Sequence, residues 1–312
     1  MKSPEPTTVS PDIHTQLAPG EWQRHKARHE QTIGELIDPY LQRRSEQQKD
    51  PVMDFLFEYY AFRPSHLRRW SPGLGVLLLE GHLHDWPFEE MTSRNNGCFL
   101  DITHFSADRL SSLKWILEVL QNSADRRPSF GCFGMHEWAM VYKADRIRHQ
   151  YLSLRMDRDE LAAFVESRPL ACTHFDAFRF FTDEAKPHNK FELNRENFHR
   201  MEQPGCLHTN MDLYKWAFKM YPWISSRTIR HTFELAVETR IVDMKASPYD
   251  LRHRGLDPIK IENESGRREY VKKQHAIFKR SKPIRQQLIK EYRRVLHSAN
   301  PVHRATQEGV KK

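Results

Sequence analysis

Glycine and cysteine are scarce in this chain, at 12 and 4 residues out of 312. The glycine-rich loops that cradle phosphates are missing. There is no Gly-x-x-x-x-Gly-Lys-Ser/Thr and no Gly-x-Gly-x-x-Gly, which excludes the common nucleotide-binding turns. Neither a Gly-x-Ser-x-Gly elbow nor a protein-kinase motif set occurs. With no Cys-x-x-Cys among them, the four cysteines build no zinc ribbon, and we expect reduced thiols in a cytoplasmic setting. Long apolar runs are absent too: a stretch such as Val76-Leu77-Leu78-Leu79 is far short of the ~20 residues that cross a bilayer. The first twenty residues are polar, carry Pro4, Pro6, Pro11 and Pro19, and hold no apolar signal core. The expectation is a soluble cytoplasmic protein with no membrane partner.

What is present is charge, histidine and aromatic side chains. Lys and Arg number 49 against 41 Asp and Glu, a formal charge of +8, with 18 His and 29% charged residues. A basic balance of this kind suits a polyanionic partner such as nucleic acid. The chain is long enough to bury a sizeable core.

Periodicity points to helices. Residues 21–48 are helix-favouring, with Trp22, Ile33, Leu36, Ile37 and Tyr40 as an apolar stripe. Pro51 opens a more apolar segment that Pro64 interrupts, and residues 81–97 read as loop. Helices follow over 106–120 and 157–167, and from Leu207 to the stop at Pro222. Ser225 and Ser226 can cap the next helix, and 267–297 form a long basic one containing Pro283. Strand signals are few and short, residues 151–155 among them. The fold class expected is mainly α: a disordered leader over 1–20, one large helical catalytic and DNA-binding domain over 21–298 with a few short strands, and a polar tail over 299–312.

One pattern recurs through the middle of the chain. Residues 132–138 (CFGMHEW), 172–176 (CTHFD) and 206–212 (CLHTNMD) each place a Cys, a His and a carboxylate within seven residues. Imidazole, thiolate and carboxylate are metal donors, so His136, His174 and His208 could hold zinc or iron together with Glu137, Asp176 or Asp212. The competing reading makes these residues hydrogen-bonded core. Residues 174–181 also set Asp176 among Phe175, Phe178, Phe180 and Phe181. An apolar surround raises a carboxyl pKa and suits it to acid–base work, and aromatic faces suit a flipped nucleobase. The alternative for Asp176 is an ion pair with an arginine. Glu137 with Trp138 repeats the acid–aromatic pairing, and Asn210 could orient a substrate amide or cap a helix. Arg63, Arg68 and Arg69 beside Trp70 form a compact basic cluster of the kind that holds phosphates.

Five segments carry a family resemblance: 51–60 (PVMDFLFEYY), 62–70 (FRPSHLRRW), 131–142 (GCFGMHEWAMVY), 172–181 (CTHFDAFRFF) and 202–208 (EQPGCLH). From about Trp22 to about Leu288 the chain resembles a group of bacterial proteins labelled 3-methyladenine DNA glycosylases. The resemblance implies a base-excision activity on DNA and transfers no catalytic residue. No helix-hairpin-helix motif maps onto the sequence. The leading expectation is therefore a DNA glycosylase that hydrolyses the N-glycosidic bond of a modified, for example alkylated, base and needs no cofactor. Asp176, Glu137 and His174 are its candidate catalytic residues. Trp138, Phe175, Phe178 and Asn210 would contact the base, and Arg63, Arg68 and Arg69 the phosphates. The first alternative is a metal-dependent enzyme on a small or nucleotide substrate, with His136, His174 and His208 as ligands. The second is a non-catalytic basic nucleic-acid-binding protein.

Overall fold

The computed structural model describes residues 13–94 and 96–309, with 301–309 by backbone alone. The fold is mainly α with a few short strands. Strand β1 (Thr15–Leu17) leads into helix α1 (Pro19–Ser45), a π-helical turn (Phe55–Tyr59) and helix α2 (Pro64–Arg68). Strands β2 (Val76–Leu79), β3 (Met91–Arg94) and β4 (Gly97–Leu100) complete a small sheet of order β1-β2-β4-β3. β1 lies parallel to β2, and the other pairs are antiparallel. Helices α3 (Ala107–Asp125), α4 (Met135–Ala139), α5 (Arg158–Glu166), α6 (Phe175–Phe178) and α7 (Phe198–Met201) follow. The long helices α8 (Leu207–Lys219), α9 (Ser226–Ala246) and α10 (Glu264–Gly309) close the chain.

Local chemistry sets most boundaries. Pro19 sits in the first turn of α1, where the missing N–H costs nothing. Asp157 caps α5 by accepting from the Glu160 N–H, and Ser225 caps α9 by accepting from Thr228 N–H. α8 is buried on almost every face, which explains its dense apolar and aromatic content. It packs along α9, while α10 covers α3, α9 and α8. Gly97 lets β4 approach β2 closely, because a Cβ there would lie 2.4 Å from the Leu78 carbonyl oxygen.

Several expectations need correcting. Residues 1–12 of the expected leader lie outside the described residues, but Thr15–Leu17 pairs with β2 and Pro19 already belongs to α1. Backbone pairing to an open sheet edge orders this polar segment, a long-range contact that composition does not encode. The loop over 81–97 contains β3, and the strand expected over 151–155 reduces to a single bridge between Leu154 and Tyr249. The polar segment from 299 onward continues helix α10 as far as Gly309.

Candidate active site

The three Cys/His/acid blocks converge at the buried junction of α4, α6, α8 and α9. Phe133 and Gly134 both adopt left-handed backbone (φ 49° and 75°), turning the chain sharply into α4. All five residues of α4 are buried. His136 Nε2 lies 2.7 Å from Asp243 Oδ1, and its Nδ1 lies 3.5 Å from the Cys132 sulfur. One turn before Asp243 on α9, Arg240 donates to Glu137 Oε1 at 2.6 Å and to the second Asp243 oxygen. Its guanidinium lies 4.5 Å from the centre of the Phe55 ring. A buried cation is thus held by two buried carboxylates, the arrangement that makes burial of either charge tolerable.

A second network begins at His174, the residue before α6. Its Nδ1 lies 2.7 Å from Glu202 Oε1, and the Thr209 hydroxyl donates to the other Glu202 oxygen. Its Nε2 faces Asp212 at 3.9 Å. Asp212 accepts from the Tyr60 hydroxyl at 2.7 Å and from Lys215 Nζ at 2.7 Å. The same ammonium reaches Asp176 at 3.0 Å, and Arg179 approaches Asp176 at 3.3 Å while donating to the Tyr59 hydroxyl.

His208 lies between the two networks. Its ring centre is 4.4 Å from that of His136, edge to face, and 5.1 Å from that of His174, stacked. Among the described residues it makes no hydrogen bond through either ring nitrogen, and it lines the cleft that opens over Asp176. The three imidazoles alternate in charge. Burial works against protonation of His136 and His174, but Asp243 and Glu202 outweigh it and raise both pKa values. For His208, burial and then the neighbouring His136 charge both lower the pKa, so the ring is neutral.

Burial pushes the Asp176 carboxyl up, yet Lys215 and His174 more than compensate and hold it below the ordinary 3.8. Asp176 is therefore ionised and ion-paired, not raised by its Phe neighbours. Burial keeps Cys172 and Cys206 protonated, and all four cysteines are free thiols.

The cleft brings Asp176, Glu137, His174 and His208 together under Phe55, Tyr59 and Phe180. The expected stacking residues lie elsewhere. Trp138 is fully buried, donates to the Ala246 carbonyl and packs on Phe164. Phe175 and Phe178 pack against the core and line no part of this cleft. Asn210 holds Pro204 and Arg285 at the start of α8 instead of facing a ligand. Arg63, Arg68 and Arg69 sit on and around α2 outside the cleft, with Arg68 paired to Asp38.

Two donor triplets have all their ligand atoms within 4.8 Å of one another: His136, His208 and Asp243, and His174, Asp176 and Asp212. The three histidines expected as one ligand set are thus divided between two groups. Lys215 already neutralises the carboxylates of the second. Arg240, Asp243, Lys215, Glu202 and Tyr60 complete the site and were not singled out as site residues by the sequence. A signal existed for two of them. Arg240 and Asp243 follow Phe233 and Ala236 at helical spacing, so they place charges on the buried face of α9. No protein-family model, no curated protein and no solved structure matches the chain.

Proposed function

We propose that this cleft hydrolyses the N-glycosidic bond of a modified base in DNA. The observation that carries the reading is Asp176: an ionised carboxylate, a quarter exposed at the side chain, at the mouth of a cleft walled by Phe55, Tyr59 and Phe180. A fixed anion there stabilises the positive charge that develops on the sugar as the base departs. The neutral ring of His208 lines the same cleft and can accept a hydrogen bond from the attacking water. Lys215, and then His174 held charged by Glu202, keep Asp176 an anion. Arg148 lies over Tyr59 and Phe180 at 5.5 and 4.9 Å and makes no ion pair among the described residues, which suits a phosphate contact. The sequence resemblance supports the same activity.

The cleft as it stands is about 20 Å³, enough for water and too small for a base. Phe55, Tyr59 and Arg148 also line a neighbouring cavity of about 410 Å³. Movement of that shared wall joins the two spaces, and its π-helical turn is the kind of irregularity that accumulates at functional sites. The test is release of free base and formation of alkali-labile sites in modified DNA. Asp176→Asn, with folding verified, is expected to lower the rate by about a hundredfold or more.

A second reading rests on His136, His208 and Asp243, a two-imidazole, one-carboxylate set of donor types that zinc and iron take. Metal binding there would require His136 to lose its proton and the metal to compete with Arg240 for Asp243. Stoichiometric metal in untagged protein, lost in His208→Ala, supports this reading; a metal-free, fully active preparation rejects it.

A further inference from the structure

A separate cleft of about 570 Å³ lies where β1, α1, the 70–74 loop, the start of α9 and the middle of α10 meet. Its volume falls within the range of small-molecule sites. Arg28, Arg227, Arg230 and Arg294 line it, with His25 and His231. Arg28, Arg227 and Arg294 have no carboxylate partner among the described residues, and Arg230 reaches only Glu234 at 3.5 Å. The single acid in the lining, Glu291, is fully engaged. It accepts from the Ser225 N–H at 2.7 Å, the Thr228 hydroxyl at 2.5 Å and Gln287 at 2.8 Å, and so serves the start of α9. Four guanidinium groups therefore face a single carboxylate, Glu291, in the lining, which leaves the cleft with an excess of positive charge.

Two buried side chains of the lining add independent signals. His29, 4% exposed, places Nε2 2.9 Å from the Leu67 carbonyl oxygen. That nitrogen must donate, which leaves Nδ1 as an acceptor, and Nδ1 has no partner. Trp223, 1% exposed, has an indole N–H without a partner. Buried polar atoms are rarely left this way unless something else completes them. Burial and the Arg230 charge both act to lower the His29 pKa, to about 4, and His231 is lowered by burial and then by Arg230. These neutral rings sit within a field that repels cations.

We propose that this cleft binds a small phosphate-bearing molecule, a sugar phosphate or nucleotide, with the arginines taking the phosphate. Guanidinium forks match phosphate oxygens in pairs. The cleft is distinct from the proposed catalytic one. Arg227 and Arg240 are 13 residues apart on α9, roughly 20 Å at 1.5 Å per residue.

Calorimetric titration of the full chain with ATP and with pyrophosphate tests the assignment. Both are expected to bind at low salt, more weakly as salt rises. Affinity should fall about tenfold in Arg227→Gln and again in Arg294→Gln, with melting temperature unchanged. Lys290→Gln, on α10 outside the cleft lining, should bind as wild type. Absence of binding by either probe overturns the proposal, as does undiminished affinity in both arginine variants. A short single-stranded DNA that binds through these arginines while ATP and pyrophosphate do not compete would assign the cleft to the DNA backbone and overturn it too. Base release is unaffected in the variants if the two clefts are independent, so failure here and failure of the glycosylase reading are distinguishable.

Discussion

Asp243 and Lys215 bear much of the electrostatic work in the candidate site, and each has a measurable consequence. Asp243 faces both His136 and Arg240 in a fully buried position, so Asp243→Asn strands two cations. Removing one partner of a buried charge network costs about 3–5 kcal/mol. Urea denaturation should show a loss of that order, and a loss below about 1 kcal/mol contradicts the network as described. Lys215 is the chief cation holding the Asp176 pKa down. Lys215→Met should move the acid limb of the rate profile towards higher pH, because a carboxyl relieved of its cation protonates more easily. An unmoved limb rules out Asp176 as the group that must be ionised.

Which of these residues were legible in the sequence follows from where their partners lie. The blocks around His136, His174 and His208 stood out because each packs donors within seven residues, and they do meet in space. Their partners Asp243 and Glu202 come from other elements, and only the packing of α4 on α9 and of α6 near α7 reveals them. The Phe-rich setting of Asp176 pointed to a raised pKa. Lys215, one turn along α8 from Asp212, reverses that, and no local pattern linked it to residue 176. Trp138 and Asn210 looked like ligand contacts because aromatic and amide groups flank the blocks; both are consumed by backbone carbonyls and buried side chains.

At the scale of elements, helix periodicity was readable for α3, α5, α8 and α9, since those helices carry strong apolar stripes, and α3, α5 and α9 have Ser or Asp at their starts. A buried helix running on from Glu137 and Trp138 was also readable, but not the start and orientation of α4, which depend on the left-handed turn at Phe133 and Gly134. An added Cβ at Gly134 would lie 3.1 Å from Ala246 Cβ and 3.2 Å from Tyr270, on top of a φ of +75°. Gly134→Ala should therefore destabilise the protein by about 1–3 kcal/mol and shift His136 and Glu137 together. Calorimetric melting that matches wild type refutes the claim that this turn positions the site. The same reasoning explains β1: the sheet edge that recruits Thr15–Leu17 is created by β2, some sixty residues later in the chain.

Across the whole molecule, histidine titration gives stability a maximum near the ordinary value of 6.5. His136 and His174 keep their protons in the fold at pH values where the unfolded chain has lost them. Stability therefore falls as pH rises from 6.5 through their raised values. His29 and His149, both lowered to about 4, and His208 stay neutral in the fold while their unfolded counterparts protonate. Stability therefore also falls as pH drops from 6.5 toward 4, by about 1.4 kcal/mol per pH unit for each group. Denaturation midpoints measured from pH 4.5 to 9 should trace this curve, and a profile that rises steadily in one direction contradicts the protonation pattern. Base excision at the cleft above Asp176 is read out by chromatographic detection of base released from a panel of alkylated and otherwise modified DNAs. Wild type should yield free modified base and matching abasic sites, with near-complete loss in folded Asp176→Asn. Release of no base from any DNA in the panel, or equal release by the variant, would contradict it.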